Sequence, residues 1–124
     1  MVKNKHNMKN FKELKVWQKA ISLVTKIYKA TANYPQSEQF GLTSQIRRAS
    51  VSIPSNIAEG FGRNSDKDFI QFLRISLGSL FEIQTQLEIS KNLGFITIEE
   101  YNSLLNDSVE IEKMLKAFIK SINK

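Results

Sequence analysis

The chain has no cysteine, so disulfide cross-links, thiolate catalysis and cysteine-ligated zinc are excluded from the start. Its one histidine, His6, stands in a Lys/Asn-rich opening segment, which leaves every candidate helix without an imidazole. The di-metal sites of helical bundles need Glu-x-x-His on facing helices, so that chemistry is unavailable as well. Strand signals are missing: alternating runs are short, and no Asn-Gly or Asp-Gly hairpin turn occurs. No charge-free apolar run approaches the ~18 residues of a membrane span, and the opening segment lacks the apolar centre of a signal peptide. There is no internal repeat, and no low-complexity segment beyond the Lys/Asn start. These absences predict a cytoplasmic protein, not an enzyme, without cofactor, metal or membrane contact.

What is present is an uneven charge. The 124 residues carry a formal net charge of +6. Residues 1–34 hold eight lysines against one acid, Glu13, a balance of +7, and the remaining residues come to −1. A local excess of this kind attracts polyanions whatever the average surface does.

The other signal is helical periodicity. Asn10 with Glu13 three residues on has the spacing of a capping box, which predicts a first helix opening between Asn10 and Leu14 and ending before Pro35. On a 100° wheel, Leu14, Trp17, Ile21, Val24 and Tyr28 fall within about 80°. Val16, Ala20, Leu23 and Ile27 form a second apolar stripe beside them. Lys12, Lys15, Lys19, Lys26 and Lys29 gather opposite, without an acid among them. A second helix is expected from Ser37 or Phe40 to Gly60, with Leu42, Ile46, Ala49, Ile53 and Ile57 on its apolar face. Pro54 inside it implies a kink with continuation, and Gly60-Phe61-Gly62 a left-handed glycine end. A third helix is expected from Ser65–Asp68 to Gly94, with Phe69, Leu73, Ser76, Leu80, Ile83 and Leu87 inward. A fourth opens at the capping box Thr97/Glu100. The fold class is therefore all-α: an antiparallel up-down-up-down four-helix bundle over residues 11–124, helix two kinked at Pro54, after a flexible basic tail of residues 1–10. That topology brings the first helix's start and the carboxy-terminal lysines to one end.

Two groups of residues stand out as candidate sites. Lys9, Lys12, Lys15, Lys19, Lys26 and Lys29 make a row of one sign, where a solvated helix face normally mixes signs. Nucleic-acid phosphates are the expected ligand, RNA before DNA and without base readout; an acidic protein partner and plain solubility are the alternatives. Gln45, Arg48, Ser52, Asn56 and Glu59 form a polar stripe on helix two. It is either a water-facing side or a hydrogen-bonded contact between subunits that also serves the backbone freed by Pro54. The apolar face of helix one is wider than a single core requires, which favours an oligomer. Glu59, Glu82 and Glu88 suggest paired carboxylates, but acid-base work needs an environment that splits their pKa values, and without a helical histidine they form no di-metal motif.

Three segments carry a family resemblance: Phe11–Ala20 (FKELKVWQKA), Leu42–Ala49 (LTSQIRRA) and Ser52–Gly60 (SIPSNIAEG). They resemble the four-helix-bundle family encoded in intervening sequences of bacterial large-subunit ribosomal RNA genes, over about Phe11 to Ile122. The helix-internal proline followed by Glu59-Gly60 is the specific part. The resemblance implies an up-down bundle in a ring-like homopentamer. It also implies a relationship to the accessory variability proteins of diversity-generating retroelements, basic pentamers that engage a reverse transcriptase and RNA. The family has no established catalytic activity, so no active-site residue carries over.

Overall fold

Apolar residues that recur every three to four positions can bury only as helical faces. The computed structural model describes residues 8–123 and contains four long helices: α1 Lys15–Thr31, α2 Leu42–Phe61, α3 Asp66–Asn92 and α4 Ile98–Ile122. Short 3-10 turns, Phe11–Glu13 and Gln36–Glu38, precede α1 and α2. No strand occurs among the described residues. Each helix packs on the one before it, and α4 also packs on α1. Their stripes meet in one core of Ala20, Leu23 and Ile27, Ile46, Ile53 and Ile57, Phe69, Leu73, Leu80 and Ile83, and Ile111 and Leu115. Each large aliphatic side chain withdrawn from water there stabilises the fold by about 1.5–3 kcal/mol. Of the expected tail, residues 1–7, including Lys3, Lys5 and His6, lie outside the described residues, and Met8 packs against the core.

The helix starts match the expected caps with two corrections. Ser65 accepts from the Asp68 N–H at 3.1 Å, with Asp66 and Asp68 in the first turn of α3. Thr97 and Glu100 form the reciprocal box that opens α4. Asn10 and Glu13 also form their box, but it closes the 3-10 turn Phe11–Glu13. Leu14 is extended (ψ 124°) and buried, so the chain leaves the helical path and α1 begins only at Lys15. Likewise Ser37 belongs to a 3-10 turn, and α2 begins at Leu42, whose N–H is held by Glu38 Oε1 at 3.0 Å.

Of the two apolar stripes on α1, the one with Val16, Ala20, Leu23 and Ile27 enters the core. The other stays partly in water: Ile21 is 39% and Tyr28 41% exposed, with Trp17 and Val24 half-buried. Leu14 alone of that set is buried.

α2 continues helically through Pro54. Its end corrects the expectation of a left-handed glycine, because Gly62 has φ −80° and the one glycine with positive φ is Gly94, past α3. Gly60 has a different reason to be glycine. A Cβ there would lie 2.6 Å from Phe72 Cβ and 2.9 Å from Phe69 Cδ1, so α2 and α3 approach closely only because it has none. Ser76, fully buried on α3, crosses the same contact and donates to the Ile53 carbonyl at 2.9 Å.

Glycine-to-alanine substitutions separate these effects. Gly60→Ala is expected to destabilise by about 1–3 kcal/mol through overpacking, despite alanine's better helix propensity. Gly78→Ala, where an added Cβ meets nothing within 4 Å, is expected to stabilise by about 0.5–1 kcal/mol. Urea denaturation of both variants measures the two signs; stabilisation by Gly60→Ala would contradict the packing account.

Candidate nucleic-acid interface

The lysine row begins on the capped turn rather than on the helix. Asn10 Oδ1 accepts from the Lys12 N–H at 2.8 Å, and Glu13 Oε2 accepts from the N–H groups of Lys9 and Asn10 at 2.9 and 3.3 Å. Gln18 Nε2 donates to the Lys12 carbonyl at 2.8 Å, and the Phe11 ring meets the Trp17 ring edge-on at 5.3 Å. These contacts fasten Lys9 and Lys12 beside the start of α1, while Lys15, Lys19, Lys26 and Lys29 follow on the helix itself. All six side chains are exposed.

The row is not free of acids. Lys19 Nζ lies 3.1 Å from Glu110 Oε1, and Lys26 Nζ lies 2.7 Å from Asp107 Oδ2, both across the seam with α4. The helix-one wheel missed these carboxylates because they are 91 and 81 positions away in the chain. Lys9, Lys12, Lys15 and Lys29 have no ion-pair partner among the described residues. The row is thus neutralised in its middle and open at its ends.

The polar stripe of α2 also divides. Gln45, Arg48 and Glu59 are exposed, and Glu59 pairs with Arg63 at 3.2 Å. Ser52 and Asn56 are half-buried and bonded within the chain: Ser52 Oγ to Ser79 Oγ at 2.9 Å, Asn56 Nδ2 to the Ser52 carbonyl and Oγ at 2.8 and 2.9 Å. Pro54 has no N–H for the Ser50 carbonyl, and none of these bonds goes to that group. Asn56 donates to Ser52, and Ser76 to Ile53.

Arg47, beside the expected Arg48, was not singled out in the sequence, yet it anchors the end of α1. Its Nε donates to Thr31 Oγ1 at 2.8 Å, its Nη2 to the Tyr28 carbonyl at 3.2 Å, and the guanidinium lies 4.6 Å from the Tyr28 ring centre. A cation at helical carbonyls complements the helix dipole. The legible signal was the last turn of α1, which supplies only Lys29 for that purpose.

A second charged cluster ties α3 to α4. Tyr101 donates to Glu88 Oε1 at 2.6 Å, and Lys91 Nζ lies 3.1 Å from Glu88 Oε2 and 4.4 Å from the Tyr101 ring centre. The bond from Tyr101, then that from Lys91, holds the Glu88 carboxyl below its ordinary 4.5. The same bonds push Tyr101 and Lys91 upward. Glu112 is lowered by hydrogen bonds from Lys116 and Gln84. No group of three or more metal-ligating side chains occurs among the described residues, and no helix there is long and apolar enough to cross a membrane.

The model of the 23S rRNA-intervening sequence protein family matches residues 12–117. The chain belongs to that family. It is similar to the crystal structure of a protein of unknown function from the S23 ribosomal protein family of Bacteroides thetaiotaomicron VPI-5482. The two are 36% identical, with a TM-score of 0.77, over 85% of this chain and 98% of that one. No curated protein matches the sequence. The matched span of this intervening-sequence protein contains every helical lysine of the row together with Asp107 and Glu110.

The lowered carboxylates fix the sign of the acid response. A group held below its unfolded value stabilises the fold above that value and loses its contribution as pH falls through the folded one. Melting temperature is therefore expected to drop below pH 4.5, and Glu88→Gln combined with Glu112→Gln to shallow that decline. Lys91 and Tyr101, both raised, act on the other limb, losing their contribution as pH climbs past 10.5 and 10.0. Circular-dichroism melts across pH test both limbs; an acid limb unaltered by the double substitution would contradict the assignment.

Proposed function

We propose that this protein is a non-enzymatic, oligomeric, cytoplasmic RNA-binding protein that holds phosphates on the lysines of α1 and on the basic end of the molecule. The observation that carries this reading is the set Lys9, Lys12, Lys15 and Lys29, exposed and without carboxylate partners among the described residues. Lysine ammonium groups in such a row hold backbone phosphates and contribute affinity that salt removes.

An up-down-up-down bundle underlies the reading. Its support is the opposite sense of paired numbers: Lys19 with Glu110 but Lys26 with Asp107, Gln84 with Glu112 but Tyr101 with Glu88. Pro54 kinks α2 in this account, because its ring crowds the preceding turn. Homo-oligomers, pentameric by family resemblance, use the half-exposed stripe of Trp17, Ile21, Val24 and Tyr28, which a lone subunit leaves in water. In such an assembly the lysines repeat, and weak contacts add by multivalency.

The alternative is a scaffold that binds an acidic protein such as a reverse transcriptase through the same lysines. Capture that survives nuclease but not salt favours it.

Charge variants test the RNA reading. Lys12→Glu with Lys15→Glu is expected to weaken RNA binding at least tenfold without unfolding the protein. Asp107→Asn with Glu110→Gln releases Lys19 and Lys26. It is expected to strengthen binding and to steepen the slope of log K against log salt by about 1.4–1.8. Fluorescence anisotropy with a labelled structured RNA measures both; unchanged affinity in the folded lysine variant overturns the surface assignment.

A further inference from the structure

Met8, Leu14 and Val16 on one side, and Met114, Ala117 and Phe118 on the other, line a hollow of about 570 Å³. The start of α1 and the last turns of α4 thus meet at one place, and the acid-free end of the lysine row runs into it. Lys15 stands in the wall. Lys9 and Lys12 adjoin wall residues Met8 and Glu13 in the chain, as Lys113 and Lys120 adjoin Met114 and Ser121. All five lysines are exposed, and none has an ion-pair partner among the described residues. The one acid in the wall, Glu13, already accepts the N–H groups of Lys9 and Asn10.

An apolar hollow with the unpaired Lys15 in its wall, and four more unpaired lysines next to wall residues in the chain, fits a ligand with a flat apolar body and anionic flanks. A nucleotide in unpaired RNA has that form: its base stacks on aromatic and thioether surfaces such as Phe118 and Met114, and its phosphates meet lysine ammonium groups. A fully paired duplex offers the phosphates but keeps its bases stacked inside. A metal ion or a cationic peptide has the wrong charge for these lysines.

We infer that the hollow between the capped turn and the end of α4 receives one unstacked base of an RNA loop or single strand, with the flanking phosphates on Lys12 and Lys15. The inference rests on the RNA reading above and adds to it a requirement for an unpaired nucleotide. It places discrimination between paired and unpaired strands in side chains, Met114 and Phe118, that carry no charge.

The test compares a labelled RNA hairpin bearing an unpaired loop with a fully paired duplex of equal charge, at one salt concentration. The protein is expected to bind the hairpin about tenfold tighter or more, the stacking contribution of a base. Ala117→Trp, at an exposed wall position, fills the hollow; it is expected to abolish that preference and to leave retention on heparin, a polyanion without bases, unchanged. Ser121→Trp, the other exposed wall position, is expected to do the same and serves where the first variant fails to fold. A preference that survives both tryptophans in folded protein overturns the inference. Equal, lysine-dependent binding of hairpin and duplex by the native protein leaves the RNA reading standing and overturns the hollow. Binding of neither overturns both.

Discussion

The seam between α1 and α4 carries the electrostatic problem around which the rest of the surface is arranged. Described α1 has no acid of its own, so its lysines can be neutralised only from another helix. α4 supplies Asp107 and Glu110, which reach Lys26 and Lys19 and no further. Pairs as exposed as these, with about half of each lysine side chain in water, contribute at most ~1 kcal/mol. They hold the seam loosely and leave positive potential at the ends of the row.

Packing decides where that row points. Val16, Ala20, Leu23 and Ile27 enter the core, which leaves Lys19 and Lys26 to meet α4. α2 and α3 approach closely at Gly60, where an added Cβ would lie 2.6 Å from Phe72 Cβ. Ser76 crosses the same contact to the Ile53 carbonyl, so α2 is anchored beside its proline by a donor from its neighbour.

Periodicity, caps and breakers made the four helices, the core of α3, the start of α3 near Ser65 and the Thr97 cap readable from the sequence. Those signals act within a few residues of one another. The shortfalls share a cause: each depends on what a residue meets from elsewhere in the chain. The Asn10 box was recognised, but the buried extended Leu14 that ends its turn depends on the core beneath it. Gly60 has the composition of a cap and the function of a contact, because its constraint is Phe72 on α3. Among the site residues, the exposure of all six lysines follows from one helical wheel and one turn. The pairing of Lys19 and Lys26 does not, since no wheel of α1 contains α4. Within the polar stripe, the division of Ser52 and Asn56 from Gln45 and Arg48 is likewise set by Ser79 across the helix contact.

The family relationship frames these findings without assigning an activity: the S23-family structure most of this chain overlays is itself of unknown function. If Lys9, Lys12, Lys15 and Lys29, the lysines at the two ends of the row, unpaired among the described residues, hold RNA phosphates, salt must weaken the complex. The most direct measurement is the affinity of the native protein for a labelled structured RNA at ~50 and ~200 mM salt. Four acid-free lysines predict a loss of about a hundredfold across that interval. Negligible binding at the lower salt, or binding that salt leaves unchanged, would contradict it.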